Sequence, residues 1–441
     1  MSITPARPAA PSGLTRRLQA QPWLLSCWCI AAAFGAYACM YAFRKPFTAA
    51  TYVGEPFPAG FKTWLVLAQV LGYTISKFVG IKVIAEMRPE RRAAALLALI
   101  AVAEVALVLF GLVPPPWSVA CLFLNGLSLG MVFGLVLGFL EGRKMTEAFV
   151  AGLCASFILA DGFTKSTGAW LLKLDVATHW MPACAGLVFL LPLILFVWML
   201  RQIPPPSAAD VAARSERAPM TRAERWAMFR RYAPGLVGIT AAYLLITVLR
   251  SMRADFAPEL WVALGTKVDP AVFTRSEMFV ALGVLVVNGL IVLVRDNRRA
   301  FFLALTIAML GLGLIGGVLM AREAGRLPGF AFMVLLGFGL YVPYVAVHTT
   351  IFERLIAMTR DRGNIGYLMY LADAFGYLGY VAVMLARNFG SGGAILPLFT
   401  TTAWIVAGAS VLSLAVAMVF FAWRLRTARL PTPASPALSA V

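Results

Sequence analysis

Twelve long apolar runs, at approximately 23–43, 63–86, 93–113, 117–140, 148–172, 180–200, 233–252, 276–294, 300–321, 329–352, 365–386 and 395–423, limit this chain more than any other feature of its sequence. A helix rises 1.5 Å per residue, so about 20 apolar residues cross a hydrocarbon core ~30 Å thick. Backbone groups in lipid must be satisfied within the segment, and runs this continuous fit helices rather than the alternating ten-residue strands of a barrel. Composition agrees: hydrophobic residues make up 61% of 441 and charged residues 13%, against about 25% charged in soluble domains. The expectation is an all-α polytopic membrane protein.

The formal net charge of +18 would suit nucleic acid if it were gathered on one soluble surface, but it is spread over alternate loops. Lys and Arg concentrate in the N-terminal tail, the even-numbered loops and the C-terminal tail, so the positive-inside rule puts both termini in the cytoplasm. A bacterial inner membrane is the expected location. The partners expected are the lipid bilayer and a small anionic solute, with no nucleic acid, and the chain is expected to be a monomer. Arg16-Arg17 ahead of the first run resembles an export signal, yet the run is too long for a signal h-region and eleven more follow. The six cysteines all fall in apolar runs, which predicts neither a disulfide framework nor a metal site. No cofactor is expected.

The longest polar stretch between runs is 201–232, from Arg201-Gln-Ile-Pro-Pro-Pro-Ser to Phe229-Arg-Arg-Tyr232. Six runs lie on either side. The expected organisation is a tail over 1–22, a six-helix bundle over 23–200, a cytoplasmic linker over 201–232 with an amphipathic helix around Thr221–Arg231, a second bundle over 233–423 and a tail over 424–441. Two landmarks support an internal repeat. Leu159-Ala-Asp161-Gly-Phe163 in run five recurs as Leu371-Ala-Asp373-Ala-Phe375 in run eleven, 212 residues later, and Arg44 and Arg250 stand 206 residues apart late in runs one and seven. Parallel six-span repeats with a substrate near the midplane describe the major facilitator architecture.

Of 38 Lys and Arg, only Arg44, Lys45, Lys77, Lys82, Lys165 and Arg250 fall inside or at the rim of apolar runs. A charge at bilayer depth costs roughly 2.5–3.5 kcal/mol on insertion scales, so such residues face a polar interior or a pathway. Arginine's planar fork suits phosphate or carboxylate, which makes Arg44 and Arg250 an expected oxyanion clamp. The first helix is expected to continue past Pro46 with a kink. Lys77 and Glu104, both mid-run, are expected to pair; Asp161 and Lys165 share a face at i,i+4 and are expected either to neutralise each other or to titrate, as is Asp373. Lys82 is expected to snorkel. Tyr41, Tyr73, Tyr377 and Tyr380 lie beside these charges and are candidate ligands for a substrate, as is Lys45; Tyr37, Tyr243, Tyr341, Tyr344 and Tyr370 place further hydroxyls in the runs. His348 is expected in a core hydrogen bond. Gly130, Gly134 and Gly138, and Gly313 and Gly317, recur at the four-residue spacing of close helix packing.

The stretch Tyr41-Ala-Phe-Arg44-Lys45-Pro-Phe47 resembles the tyrosine-rich first helix of the organophosphate:phosphate antiporter family, the glycerol-3-phosphate and hexose-phosphate transporters, within the major facilitator superfamily. Gly72-Tyr73-Thr-Ile-Ser76-Lys77-Phe78, Leu249-Arg250-Ser-Met-Arg-Ala-Asp255-Phe256 and Phe375-Gly376-Tyr377-Leu-Gly379 are similar to its stretches in runs two, seven and eleven. The resemblance implies that Arg44 and Arg250 bind phosphate. Two departures stand beside it: Asp161 takes the place of the family's expected histidine in helix five, with Lys165 one turn further on, and Glu86-Met-Arg-Pro-Glu90-Arg-Arg replaces its acidic loop signature.

A secondary transporter of a small organic anion is therefore expected, most directly a phosphate ester or phosphate, working by alternating access. The alternatives are a proton-coupled carrier of another anion such as a carboxylate, and a transporter-like sensor of a phosphorylated metabolite. An enzyme is not expected. Gly126-Leu-Ser128-Leu-Gly130 and Gly311-Leu-Gly313-Leu-Ile-Gly316 match a nucleophile elbow and a dinucleotide fingerprint, but both sit inside apolar runs that offer no strand-to-helix turn.

Overall fold

The computed structural model describes residues 13–52, 54, 60–140, 143, 146–207, 210, 222–359, 365–389 and 394–427. Among these residues there is no β-strand, and twelve long helical spans follow one another. Nine are long and apolar enough to cross a membrane: Pro22–Ala42, Pro89–Leu112, Ser118–Leu140, Met181–Arg201, Phe229–Asp255, Ala271–Ile291, Asn297–Glu323, Gly329–Met358 and Ile395–Arg426. The other three, spans two (Phe61–Glu86), five (Thr146–Lys173) and eleven (Ile365–Phe389), carry Lys62, Lys77 and Lys82, Asp161 and Lys165, and Asp373. The chain is an integral membrane protein, and each of these three less apolar spans buries charge in its interior.

Local chemistry sets the helix ends. Pro22, Pro89 and Pro182 open spans one, three and six, where the missing N–H costs nothing. Asp296 caps span nine by accepting from the Arg299 amide at 2.6 Å. Span one does not run through Pro46 as expected. Its α-helix stops at Ala42, a turn covers Phe43–Lys45, and a short 3₁₀ segment spans Pro46–Ala49. Pro46 has no N–H to give the Ala42 carbonyl four residues back and its ring crowds that carbonyl, so the α-helix ends here rather than bending. Nor does the linker form a separate amphipathic helix: from Arg222 it is continuous with span seven, to Asp255. Thr221 and most of the linker lie outside the described residues.

The packing falls into two sets. Span one lies against spans five and six, two against four, and three against four and six; span seven lies against ten, eleven and twelve, eight against ten, and nine against ten and twelve. The sets meet along two seams, span two on eleven and span five on eight. These seams use the same three charged spans, together with span eight.

Glycine brings spans two and four into backbone contact. A Cβ on Gly126 would lie 2.0 Å from the Gln69 carbonyl oxygen, one on Gly72 2.2 Å from that of Phe123, and one on Gly130 2.5 Å from that of Tyr73. The serine of the elbow-like motif only donates to the Asn125 carbonyl within its own helix. The expectation for span nine fails, because a Cβ on Gly313 or Gly317 would meet nothing within 4 Å, and it is Gly311 that packs, against the Gly339 carbonyl. Replacing Gly126 with leucine should destabilise the protein by about 1–3 kcal/mol through overpacking against backbone. Gly313→Ala should leave the melting temperature of the purified protein unchanged or slightly higher.

Candidate functional site

Arg44 and Arg250 are 3% and 6% exposed, and they converge from opposite sets on one aromatic group. The Arg44 guanidinium stands 3.8 Å from the centroid of Tyr73, 5.6 Å from Tyr377 and 5.9 Å from Tyr41. Arg250 stands 4.6 Å from Tyr344 and 5.9 Å from Tyr377 and donates to the Tyr377 hydroxyl at 3.1 Å. Tyr73 and Tyr377 meet edge to face at 5.0 Å, and Tyr37 backs Tyr41 at 5.6 Å. Two cations thus share a box of phenols, whose ring faces attract them.

Among the described residues no carboxylate pairs with either guanidinium, and the Nε of each is buried without a partner. Other buried cations differ. Lys45 bonds Asp255, whose second oxygen accepts from Tyr380 at 3.0 Å. Lys77 bonds Asp373, whose second oxygen accepts from Tyr243 at 2.7 Å. Lys165 bonds Asp161 at 2.5 Å, Arg253 bonds Glu277 at 2.8 Å, and Lys62 bonds Glu259 at 2.7 Å. Compensation is the rule for buried charge, and Arg44 and Arg250 depart from it together.

The position of Arg44 follows from the break in span one. Ending a helix at Ala42 leaves the carbonyls of Phe43 and Arg44 without intrahelical donors, in a place where water is scarce. Asn125 of span four donates its two amide hydrogens to Phe43 (2.9 Å) and Ala103 (3.1 Å). Gln69 of span two donates to Arg44 (2.9 Å) and to the Asn125 side-chain oxygen (2.8 Å). These two amides tie the Arg44 backbone to spans two, three and four. Sequence reading passed over them, although a lone glutamine and a lone asparagine deep in apolar runs are a detectable signal.

The expected residues therefore divide. Arg44, Arg250, Tyr41, Tyr73 and Tyr377 come together. Lys45 and Lys165 instead lie in ion pairs nearer the end of the bundle opposite the termini, with Tyr380 donating to the Asp255 of the first, and Lys77 and Asp373 join spans two and eleven beside the box, with Lys77 5.1 Å from the Tyr73 ring. The expected Lys77–Glu104 pair does not form. Lys77 is on the seam with span eleven, whereas both Glu104 oxygens are buried without a partner against Gly186 of span six. Lys82 is exposed, as snorkelling requires. His348, in a π-helical turn over Val347–Ile351, lies 3.1 Å by Nδ1 from the Tyr344 carbonyl and 3.3 Å by Nε2 from the Tyr243 hydroxyl. The Tyr370 side chain lies outside the described part. Glu277 stands at the edge of the apolar run that begins at 276, so sequence gives no sign of its depth; the helix starts at Ala271 and buries it.

At the end opposite the termini the sets are also tied by Lys173 to Asp269 at 3.1 Å and by Ser166 to the Pro270 carbonyl at 2.5 Å and the Thr274 hydroxyl at 2.6 Å. A separate cavity of about 470 Å³ opens at that end, lined by Ala49, Ala50, Thr51, Tyr52, Leu172, Thr178 and His179. It belongs to the first set alone.

Residues 46–424 match a family described as a family of unknown function (DUF5690). The chain belongs to this family. No functionally curated protein matches it. Its fold is similar to that of the D-xylose-proton symporter (TM-score 0.62, 14% identity, 90% of this chain and 98% of that one). It is also similar to the nucleoside transporter NupG (0.56, 13%, 90% and 99%) and to a bacterial homologue of the human drug peptide transporters PepT1 and PepT2 (0.60, 11%, 91% and 98%). At these identities the likeness is one of fold, and that fold is the major facilitator arrangement expected from the repeat.

Asp373→Ala should cost about 3–5 kcal/mol, because it leaves Lys77 buried and uncompensated, whereas Lys77→Met combined with Asp373→Leu should recover most of that loss. Thermal unfolding of the three purified proteins gives the comparison, and equal melting temperatures for the single and double variants would contradict the pairing.

Proposed function

We propose that this protein is a secondary transporter of a small organic anion, most directly a phosphate ester or phosphate, with Arg44 and Arg250 as the anion clamp. The observation that carries the reading is the pair of buried guanidiniums, one from each helical set, that among the described residues lack carboxylate partners while Lys45, Lys62, Lys77, Lys165 and Arg253 all have them. An anion with two or more oxygens supplies the missing charge and accepts from both forks. Tyr41, Tyr73 and Tyr377 offer hydroxyls to the same oxygens. The sequence resemblance to organophosphate:phosphate antiporters points to the same chemistry, and the named structural neighbours all carry solutes.

Alternating access follows from where the two arginines are rooted. Arg44 is fastened to spans two, three and four, while Arg250 and Tyr377 belong to the other set, so rotating one set against the other about the bound anion changes which end is open. The ties at the end opposite the termini must part for that end to open. The loop charges support cytoplasmic termini, a bacterial inner membrane is the location this reading proposes, and one chain holds both halves of the site, so a monomer suffices.

Exchange of labelled phosphate or a phosphate ester in proteoliposomes tests the reading. Arg44→Ala and Arg250→Ala should each slow exchange by roughly ten- to a hundredfold, the loss of charge-assisted hydrogen bonds. Arg44→Lys should restore little, because an ammonium lacks the fork. Rates equal to wild type in both alanine variants would exclude the clamp, and specific phosphate-ester binding without flux would turn the reading to a sensor.

A further inference from the structure

Three contacts around His348, in the widened helical turn of span ten, ask for more hydrogens than a neutral imidazole and its neighbours supply. The Tyr344 carbonyl can only accept, so its 3.1 Å contact places a hydrogen on Nδ1. The Tyr243 hydroxyl has a single hydrogen, and the 2.7 Å contact commits it to Asp373 Oδ1, because a carboxylate cannot donate. What remains is the approach of His348 Nε2 to the Tyr243 oxygen, at 3.3 Å. With a neutral ring, two lone pairs face each other there. A second proton, on Nε2, turns the same approach into a hydrogen bond and completes a chain from the Tyr344 carbonyl through His348 and Tyr243 to Asp373.

The surroundings of the ring divide by sign. Asp373 of span eleven favours a positive imidazole, as do the ring faces of Tyr344, 4.8 Å off, and Tyr243, 5.3 Å off. Burial opposes it, and so do Lys77 of span two and Arg250 of span seven, both within electrostatic range. Span five contributes the Phe157 ring at 6.4 Å and the Cys154 thiol, which feels Asp373. Span nine has no charged side chain between Ala300 and Ala321. Of the two opposing cations, Lys77 already has Asp373, whereas Arg250 has no carboxylate partner among the described residues. Tyr344 touches both Arg250 and the imidazole, with its ring 4.6 Å from the guanidinium. An anion seated on Arg250 therefore cancels the opposition that the protein leaves standing. We propose that His348 takes up a second proton, on Nε2, when an anion enters the aromatic box, and releases it when the anion leaves. The anion then crosses together with one proton drawn from water. This pairing of proton to anion rests on the clamp reading above.

The chain has two histidines, so nitrogen NMR of the histidine-labelled, full-length protein in lipid nanodiscs reads His348 beside a single other ring, and either His179→Gln or His348→Gln assigns the signals. Near neutral pH without phosphate, His348 should show a neutral ring with its hydrogen on Nδ1. Saturating inorganic phosphate at the same pH should convert it to the imidazolium, with both nitrogens protonated. Binding of labelled phosphate to the same sample separates the outcomes. A ring that stays neutral with phosphate bound, or that carries its hydrogen on Nε2 alone, would overturn the proton site. A ring fully protonated before phosphate is added would overturn its coupling to the anion. No bound phosphate at all would overturn the clamp reading and the coupling with it. Linkage is reciprocal, so lowering the pH from about 8 to about 6 should tighten phosphate binding roughly tenfold more in the wild type than in His348→Gln, both of which share the ionisation of phosphate itself. Equal pH dependence in the two proteins would sink the coupling, and the wild-type spectra decide the matter even if the variant fails to fold.

Discussion

A buried charge in a bilayer must find its opposite, and that single requirement orders the interior of this protein. Span two meets span eleven through Lys77 and Asp373, and the ends of spans one and seven meet through Lys45 and Asp255. Both pairs cross between the helical sets, so each set carries charges that it cannot neutralise by itself. The apolar surfaces of the helices are as content with lipid tails as with one another. Partner choice is therefore made by the ion pairs, and by the glycine contacts that let backbones approach. Against this background the two arginines of the aromatic box stand out among the buried cations, as Glu104 does among the carboxylates, in having no opposite charge beside them among the described residues.

Much of the architecture was legible because membrane helices announce themselves by length and apolarity alone. The repeat was legible from Asp161 and Asp373 and from Arg44 and Arg250, since those charges break an otherwise uniform pattern. Pairing was harder to read. Lys77 and Glu104 are both mid-helix and of opposite sign, but which helix faces which is decided by packing. Gly72, Gly126 and Gly130 draw span four onto span two on one side and leave Lys77 turned to span eleven on the other. The same holds for Lys45, whose partner lies 210 residues away and whose role changed from candidate ligand to tie.

The candidate site shows a similar boundary. Arg44, Arg250, Tyr41, Tyr73 and Tyr377 were visible as polar residues in apolar company. Gln69 and Asn125 were equally visible but had no reason to be chosen until the helix break at Ala42 exposed two carbonyls for them to serve. The break itself is written in Pro46. What sequence could not supply is the depth at which it occurs, which turns an ordinary loop entrance into a demand for two buried amides.

The backbone contact between spans two and four bears on motion as well as packing. With carbonyl oxygens pressed where side chains would stand, those helices have no compressible layer between them, and Gln69 and Asn125 fasten the Arg44 turn across that joint. Arg44 must consequently travel as part of a stiff block, whereas Tyr377 rides with the opposite set. The phenol that lies under one guanidinium and receives a hydrogen from the other is thus positioned like a pointer between two rulers, registering any displacement of one set against the other.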